Sequence, residues 1–399
     1  MSILPLDSIP VLTLAHLVAG QLSPAGVPEE QWNDLVELAL DHGLGGMLLW
    51  SLRQAGWAQA AEPRWQPLVD ASRRNGRHNL LIEKARRQAA AALDQAGIPT
   101  IWLKGIALAH TCYPEIHLRP MADLDVLVPP DRMTAAREAL LALGFRRAEI
   151  DFFELGGFTD QARHHEGLLD RSGQVRLELH FRLLAPSLYY HMEEGDLDWF
   201  WGQTEELAPD GPSFQALKPE ANLLHLCAHA ILQNQGEPLD LLHLLDLHLL
   251  VTRSSLDWDR VVEQAAALRW TYAVEMALGL LPPLFGTWLP GGVLDTLRQR
   301  RPADEIPPVS LSNLPITRRW DEWRQAFGRM TLGQRMRLVW ATLFPPSAFL
   351  RQQYHLLPGE PLLKYYVYHF LDGGREVARS IRRSPACPKQ STIHGEDNS

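Results

Sequence analysis

Two aspartates stand two residues apart in the segment Asp123-Leu-Asp125-Val-Leu-Val. Successive side chains of a strand point to opposite faces, so Asp123 and Asp125 share one face and the apolar residues between and after them fill the other. Two carboxylates on one face repel each other unless a positive charge lies between them. Mg²⁺ is commonly held by one or two carboxylates together with substrate phosphates. The pattern therefore predicts a half-buried strand that carries a divalent-cation site.

A third carboxylate lies in a later segment of the same alternating type. In Arg176-Leu-Glu178-Leu-His180-Phe, strand alternation places Arg176, Glu178 and His180 on one face. If this strand lies beside the aspartate strand, Glu178 joins Asp123 and Asp125. Three carboxylates with two Mg²⁺ ions suit in-line attack on a phosphorus atom.

Basic residues precede the aspartates at a spacing that brings them near phosphate. Thr100-Ile-Trp-Leu103 is typical of a short buried strand, and it ends at Lys104-Gly105, where a helix is expected to begin. We expect the Lys104 ammonium to bind phosphate. Arg119, four residues before Asp123, is expected either to bind phosphate or to pair with the aspartates.

Composition limits the class of protein. The chain has 399 residues, 46% of them hydrophobic, a net charge of −9 and three cysteines, Cys112, Cys227 and Cys387, without CxxC spacing. This charge argues against stable nucleic-acid binding, and the cysteines indicate neither a disulfide framework nor a zinc site. There is no apolar run of eighteen residues and no basic start to the N-terminus, so neither a membrane span nor a signal peptide is expected. We expect a cytoplasmic protein.

Periodicity and breaker residues divide the chain into four parts. An N-terminal helical segment, 1–96, includes helices near 29–56 and 65–96, the second ended by Gly97-Ile-Pro99. A mixed α+β core follows at 97–215. A leucine-rich helical region at 216–383 contains helices near 218–234, 238–252, 257–268 and 270–284. The polar tail, 384–399, is expected to be disordered.

These motifs resemble the uncharacterised nucleotidyltransferase family of the DNA polymerase β-like superfamily. The resemblance is carried by Leu103-Lys-Gly105, Tyr113-Pro114, Arg119, Asp123-Leu-Asp-Val-Leu-Val128 and Glu178-Leu-His-Phe181. It implies an α+β fold, with a polymerase-β-like core of a small mixed sheet and flanking helices plus a mainly helical C-terminal region acting on the acceptor.

The resemblance also implies an activity and roles for residues. The reaction is Mg²⁺-dependent transfer of an NMP from an NTP, with ATP as our guess, to a hydroxyl or phosphate of a small-molecule or peptide acceptor, releasing pyrophosphate. Natural-product or surface-polysaccharide tailoring is a plausible setting. Asp123, Asp125 and Glu178 correspond to the catalytic, metal-binding carboxylates, and Glu178 to a candidate base. Lys104, Gly105, Arg119 and His180 are the candidate nucleotide-binding residues.

One departure from the superfamily concerns the turn after the first strand. Most members have Gly-Ser there, whereas this chain has Gly105-Ile106 preceded by Lys104. Ile106 has no hydroxyl for phosphate, so Lys104 is expected to supply charge instead. The Lys-Gly form is characteristic of this subfamily.

Alternatives remain at this point. A catalytically silent nucleotide- or partner-binding module on the same fold is the main alternative function, and a metal-dependent phosphohydrolase built on His225, His229 and Asp246 is a weaker one. A hydrogen-bonded role is favoured over metal binding for His164-His165, expected two strands from the chemistry. Asp246, acidic within an apolar helix, needs a partner, for which His225 or His229 is the natural candidate.

Overall fold

The computed structural model describes residues 6–57, 62–148, 164–184, 194–208, 212–233 and 240–305, with scattered positions between 332 and 369. The chain divides into one compact unit of Met1–Glu149 with Thr159–Pro308 and another of Ile150–Phe158 with Val309–Ser399. All elements named below belong to the first unit. The predicted tail and most of residues 306–383, the last part of the predicted helical region, lie outside the described residues.

The elements are numbered in chain order. The α-helices are α1 (Ile9–Val18), α2 (Trp32–Asp41), α3 (Gly45–Gln54), α4 (Gln66–Gln95), α5 (Lys104–Thr111), α6 (Met133–Ala142), α7 (Glu194–Trp201), α8 (Pro219–Ala228), α9 (Leu241–Arg253), α10 (Trp258–Ala267), α11 (Thr271–Phe285) and α12 (Val293–Gln299). A π-helical turn, His229–Gln233, continues α8. The strands are β1 (Ile101–Trp102), β2 (Asp123–Leu127), β3 (Arg146–Arg147), β4 (His165–Leu169), β5 (Arg176–His180), β6 (Thr204–Leu207) and β7 (Phe214–Leu217).

The seven strands form one mixed sheet in the order β3-β4-β5-β2-β1-β7-β6. The strands β2 and β5 pair in parallel, as do β1 and β7, and the remaining neighbours are antiparallel. The hairpin of β4 and β5 turns at Asp170, whose carboxylate accepts hydrogen bonds from the backbone N–H groups of Ser172, Gln174 and Val175. This confirms the α+β class and places the two carboxylate-bearing strands side by side.

The two faces of the sheet have different partners. Leu124 and Val126 of β2 and Leu177 and Leu179 of β5 are fully buried in a core cluster that includes residues of α4 and α6. Alternation along the strands sends Asp123, Asp125, Glu178 and His180 to the opposite face. Burial of the apolar face therefore fixes the direction in which the charged side chains point.

Helix α4 holds the segment that precedes β2. Its C-terminus ends as predicted, because Gly97 adopts φ +66° and the N–H of Ile98 bonds to the carbonyl of Leu93. In its middle, the buried Asn79 side chain donates to the backbone carbonyls of Ile116 and Arg119, each at 2.8 Å. The amide of Asn79 thus fixes the backbone that carries Arg119.

A buried ion pair joins this segment to the helical region. The Arg119 guanidinium donates from Nε and Nη2 to both oxygens of Asp246 in α9, at 2.9 and 2.7 Å, and Tyr113 donates its hydroxyl to the same carboxylate at 2.7 Å. Arg119 and Asp246 are 6% and 1% exposed. The partner of Asp246 is therefore Arg119, and the prediction of His225 or His229 was wrong.

Gly105 is required by the position of that arginine. A Cβ atom on Gly105 would lie 2.5 Å from Arg119 Nη1 and 3.1 Å from Met121 Cγ. Side-chain atoms do not approach this closely, so a larger residue displaces the guanidinium or the start of α5. The family resemblance made Gly105 a candidate nucleotide-binding residue, and within the described structure it is the Arg119 side chain that lies against it.

The predicted helices and strands are largely confirmed, but several short elements were missed. The segment 29–56 forms two helices because Gly43 adopts φ +69° between them, and 218–234 ends in the π-turn. The elements α1, α7, α12, β6 and β7 were not predicted. Each spans ten residues or fewer, too few for a clear period. The division at 216 stays a prediction.

Asp246→Asn is expected to destabilise the protein by about 3–5 kcal/mol, because it leaves the Arg119 charge buried without its partner. Asp295→Asn removes an acid that also pairs with an arginine, Arg298, but on the exposed surface, so no measurable change is expected. Urea unfolding of both variants tests this. Equal stability of Asp246→Asn and the unmodified chain would contradict it.

Gly105→Ala is expected to cost about 1–3 kcal/mol through the clash with Arg119. The matched control is Gly76→Ala within α4, where the nearest atom to the added methyl is His117 Cβ at 3.5 Å. That change is expected to be neutral or stabilising, since alanine favours a helix over glycine. Thermal unfolding measures both, and destabilisation of the two variants alike would exclude a specific clash at Gly105.

Candidate functional site

The Asp125 carboxylate lies at the centre of the charged face. Its Oδ1 accepts hydrogen bonds from Lys104 Nζ at 2.9 Å and His180 Nε2 at 2.8 Å, and the residue is 2% exposed. Burial by itself raises the pKa of Asp125, but the Lys104 charge and the His180 hydrogen bond hold it well below its usual range. Among the described residues none donates to Oδ2, so one oxygen is left for another ligand.

The parallel register brings Glu178 beside Asp125, since these two residues are direct Cα partners of β5 and β2. Glu178 Oε2 lies 3.6 Å from His180 Nε2, and Oε1 lies 3.2 Å from Arg176 Nε and 3.5 Å from His165 Nε2. Burial opposes ionisation, but the bond to His180 and the charge of His165 lower the pKa of Glu178 to about 2. The predicted adjacency of Glu178 to the aspartate strand is confirmed.

Asp123 occupies the first position of β2 and is partly exposed. No described residue hydrogen-bonds its carboxylate. Burial, and then the charges of Asp125 and Glu178, raise the pKa of Asp123 to about 6. Potential ligand atoms of Asp125, Glu178 and His180 lie within 4.8 Å of one another, and Asp123 lies outside that close group.

Lys104 reaches Asp125 from an unusual backbone conformation. It begins α5 with φ +48°, which is uncommon for a residue with a side chain. Burial lowers the pKa of Lys104, but the charges of Asp125, Glu178 and Asp123 raise it further, so the ammonium is charged. It also borders a cavity of about 20 Å³ shared with Arg119, Leu226, His229 and His243, room for about one water molecule.

Arg119 and His180 take positions that differ from the sequence prediction. Arg119 pairs with Asp246, so its proposed pairing with the aspartates of β2 was wrong, and its guanidinium is engaged by protein groups. The fully buried His180 lies behind Asp125 and orients it. Ile106 is part of the apolar core, consistent with its lack of a phosphate contact.

The histidine pair His164-His165 lies closer to the site than its strand position indicated. The strand β4 pairs antiparallel with β5, and His165 is the direct partner of His180. The ring centroids of His164 and His165 lie 5.2 and 5.0 Å from that of His180. His164 Nε2 lies 3.0 Å from His165 Nδ1 and 2.9 Å from Gln233 Nε2 in the π-turn.

The histidines of the helical region are near one another without forming a ligand group. Ring centroids of His225 and His229 are 6.2 Å apart, and those of His229 and His243 are 6.0 Å apart. Within the described part of the chain, the groups with metal-ligand spacing do not include these residues or Asp246. The ligand set needed for the phosphohydrolase alternative is thus not assembled.

Sequence reasoning did not foresee three positioning contacts: Asn79 with the Arg119 backbone, Tyr113 with Asp246, and Gln233 with His164. Tyr113 was noticed only as part of a motif. Asn79 and Gln233 are polar residues on helices and carry no local signal of their long-range partners. Only the folded structure, which places α4 against residues 116–119 and the π-turn beside His164, reveals these contacts.

Every helix in the part of the chain that the structure describes is too short or too polar to span a lipid bilayer. No curated protein matches the chain. Among solved structures, the antibiotic-resistance factor ANT(2'')-Ia, studied in solution, shares 17% identity, with 50% of this chain and 97% of that chain covered and a TM-score of 0.34. A likeness this distant carries no argument about substrate.

The family model described as "Uncharacterised nucleotidyltransferase" matches residues 28–286. This range is well over half of the chain and contains Lys104, Asp123, Asp125 and Glu178. Since one family model spans the sheet, the site and the helices that cover it, the chain belongs to the uncharacterised nucleotidyltransferase family and is a transferase enzyme.

Proposed function

We propose that the chain transfers an NMP from an NTP, with ATP as the first candidate, to a hydroxyl or phosphate of a small-molecule or peptide acceptor, releasing pyrophosphate. The observation that carries the proposal is the pairing of Asp125 with Glu178 across parallel strands, with Lys104 on the Asp125 carboxylate. Carboxylates and a lysine on one face combine ligands for a hard cation with a charge for phosphate.

The carboxylates fit Mg²⁺ by their chemistry. Asp123 has no hydrogen bond from a described residue and Asp125 has a free Oδ2, so both offer oxygens, and Glu178 adds a third carboxylate nearby. When bound, Mg²⁺ would neutralise phosphate charge and orient the reacting oxygens. Asp123 and Asp125 are the proposed ligands, with Glu178 as a third.

Lys104 is proposed to exchange partners when the nucleotide binds. Its ammonium neutralises Asp125 in the free chain, and the same charge can pair with the β- or γ-phosphate. His180 then remains on Asp125 and keeps that carboxylate oriented. Arg119 serves this site by positioning, since Asp246 engages its guanidinium and its backbone is held by Asn79.

The low pKa of Glu178 argues against the role of general base that the family resemblance implied for it. A carboxylate with a pKa of about 2 accepts a proton poorly at neutral pH. We propose instead that Glu178 contributes negative charge.

Asp123→Asn is expected to abolish Mg²⁺-dependent NTP binding and reduce turnover by at least about 10²-fold, through loss of a ligand oxygen. Calorimetric titration of ATP, GTP, CTP and UTP, with and without Mg²⁺, measures binding, and pyrophosphate release measures turnover. Asp131→Asn is the control, because Asp131 is an exposed acid just beyond β2. If the unmodified chain binds an NTP but releases no pyrophosphate, the catalytically silent module is favoured. Absence of binding to any NTP would contradict the proposal.

The raised pKa of Asp123 predicts a pH-dependent stability in metal-free buffer. Its folded-state pKa of about 6 exceeds the ordinary value of 3.8, so folding favours the protonated acid. The stability it provides is present below about pH 4 and is lost as pH rises through 6. The free energy of unfolding of Asp123→Asn is therefore expected to be about 1–3 kcal/mol larger than that of the unmodified chain at pH 7.5.

Urea unfolding in chelator at pH 4.5 and pH 7.5 measures this difference, which is expected to be small at the lower pH. The same result supports the activity test, because a stabilised variant cannot lose NTP binding through unfolding. A less stable Asp123→Asn at pH 7.5 would show that the carboxylates do not repel as described.

A further inference from the structure

We propose that a cavity between α1, α3 and α9 binds a small organic anion that has an apolar body. The cavity has a volume of about 610 Å³, within the range of about 300–1,000 Å³ that pockets for small ligands occupy. Its walls are the end of α1 with the loop that follows it, most of α3 and the last two turns of α9. None of the residues proposed to bind Mg²⁺ or the nucleotide lines it.

The apolar part of the wall comes from all three helices. Val18 of α1, Met47 of α3 and Leu249 of α9 are buried lining residues, and the half-buried Trp50 of α3 adds an aromatic ring. Such a wall stabilises the hydrocarbon or aromatic part of a ligand by removing it from water. Ser51 Oγ donates to the backbone carbonyl of Val18 at 3.2 Å, which holds α3 against the end of α1.

Arg253, the last residue of α9, gives the cavity its charge. The described lining contains no aspartate or glutamate, and its other members carry no permanent positive charge. Within the described part of the chain, the Arg253 side chain has no ion pair or hydrogen bond. Because a guanidinium pairs strongly with carboxylates and similar planar or tetrahedral anions, the ligand that matches this wall carries a negative charge.

The backbone at the end of α9 is compatible with an anion. Thr252 Oγ1 donates to the carbonyls of His248 and Leu249 at 2.8 and 3.3 Å, and the N–H of Ser254 bonds to the carbonyl of Leu250 at 3.1 Å. The negative end of a helix dipole resides largely on carbonyls that lack such donors. These bonds therefore limit the repulsion that the helix end exerts on an anion beside Arg253.

His248, another lining residue, adds a hydrogen-bond acceptor. Its Nδ1 lies 2.8 Å from Thr287 Oγ1, which donates its own proton to the carbonyl of Leu281 at 3.2 Å. Nδ1 therefore carries the ring proton and Nε2 carries a lone pair. Burial and the Arg253 charge lower the pKa of His248 to about 4, so the ring is neutral at pH 7. Since no described residue bonds to Nε2, a hydroxyl or amide N–H of the ligand can donate to it.

The test uses two fluorescent probes, the aromatic anion anilinonaphthalene sulfonate and phenylnaphthylamine, which has the same apolar body without the charge. Each is titrated into the full chain without nucleotide or Mg²⁺, and we expect saturable binding of both. Arg253→Gln is expected to weaken binding of the sulfonate at least about tenfold and to leave binding of the uncharged amine within about twofold. Arg53→Gln is the matched control, because Arg53 is exposed on α3 but outside the lining. It is expected to bind both probes as the unmodified chain does.

A second variant tests where the probes bind. Ala19→Phe places a phenyl group at a lining position just after α1, so it is expected to weaken binding of both probes at least about tenfold by filling the cavity. Circular dichroism checks its folding. Ala55→Phe, at the lining position just after α3, takes its place if Ala19→Phe does not fold.

Equal affinity for the sulfonate in the unmodified chain, Arg253→Gln and the phenylalanine variant would overturn the proposal. Absence of saturable binding, or an equal loss of both probes in Arg253→Gln, would overturn it as well. Because no nucleotide is present, the result is independent of the proposed transfer activity. Asp123→Asn is expected to bind both probes as the unmodified chain does while losing Mg²⁺-dependent NTP binding.

Discussion

The buried Asp125 carboxylate is the interaction on which the site depends. A charge that is 2% exposed persists only when opposite charge or hydrogen bonds compensate for lost water. Lys104 supplies an opposite charge, and Lys104 and His180 each donate a hydrogen bond to Asp125 Oδ1. Each comes from a different element, so the start of α5 and the end of β5 must be in place before Asp125 is stable. The left-handed backbone of Lys104 is a strain that this ion pair offsets.

The helical region completes the site as well as covering it. Asp246 in α9 engages Arg119, and Gln233 in the π-turn contacts His164, so two separate contacts connect helices beyond residue 216 to the sheet. A π-helical turn is uncommon and frequently occurs at functional sites. Here it projects His229 toward the cavity beside Lys104 and Gln233 toward the histidines.

The sequence predicted the features that depend on the alternation of side chains along strands and on the residues that end helices. The faces of Asp123, Asp125 and Glu178 follow from the period of two, and the end of α4 follows from Gly97. The contact between Arg119 and Asp246 could not be predicted, because the two residues lie 127 positions apart in the chain and each can pair with several kinds of side chain. The proximity of His165 to His180 required the register of β4 on β5, which the hairpin turn at Asp170 sets. Short elements such as β7 were missed because four residues hold too little pattern.

The central claim is that Asp123 and Asp125 hold a cation against the phosphates of a nucleotide. A crystal structure with Mg²⁺ and a non-hydrolysable ATP analogue tests this most directly. The account predicts Mg²⁺ about 2.0–2.1 Å from oxygens of Asp123 and Asp125, with Lys104 Nζ moved from Asp125 onto a phosphate oxygen. A nucleotide bound away from β2, or Lys104 still on Asp125 with no Mg²⁺ beside it, would contradict the account.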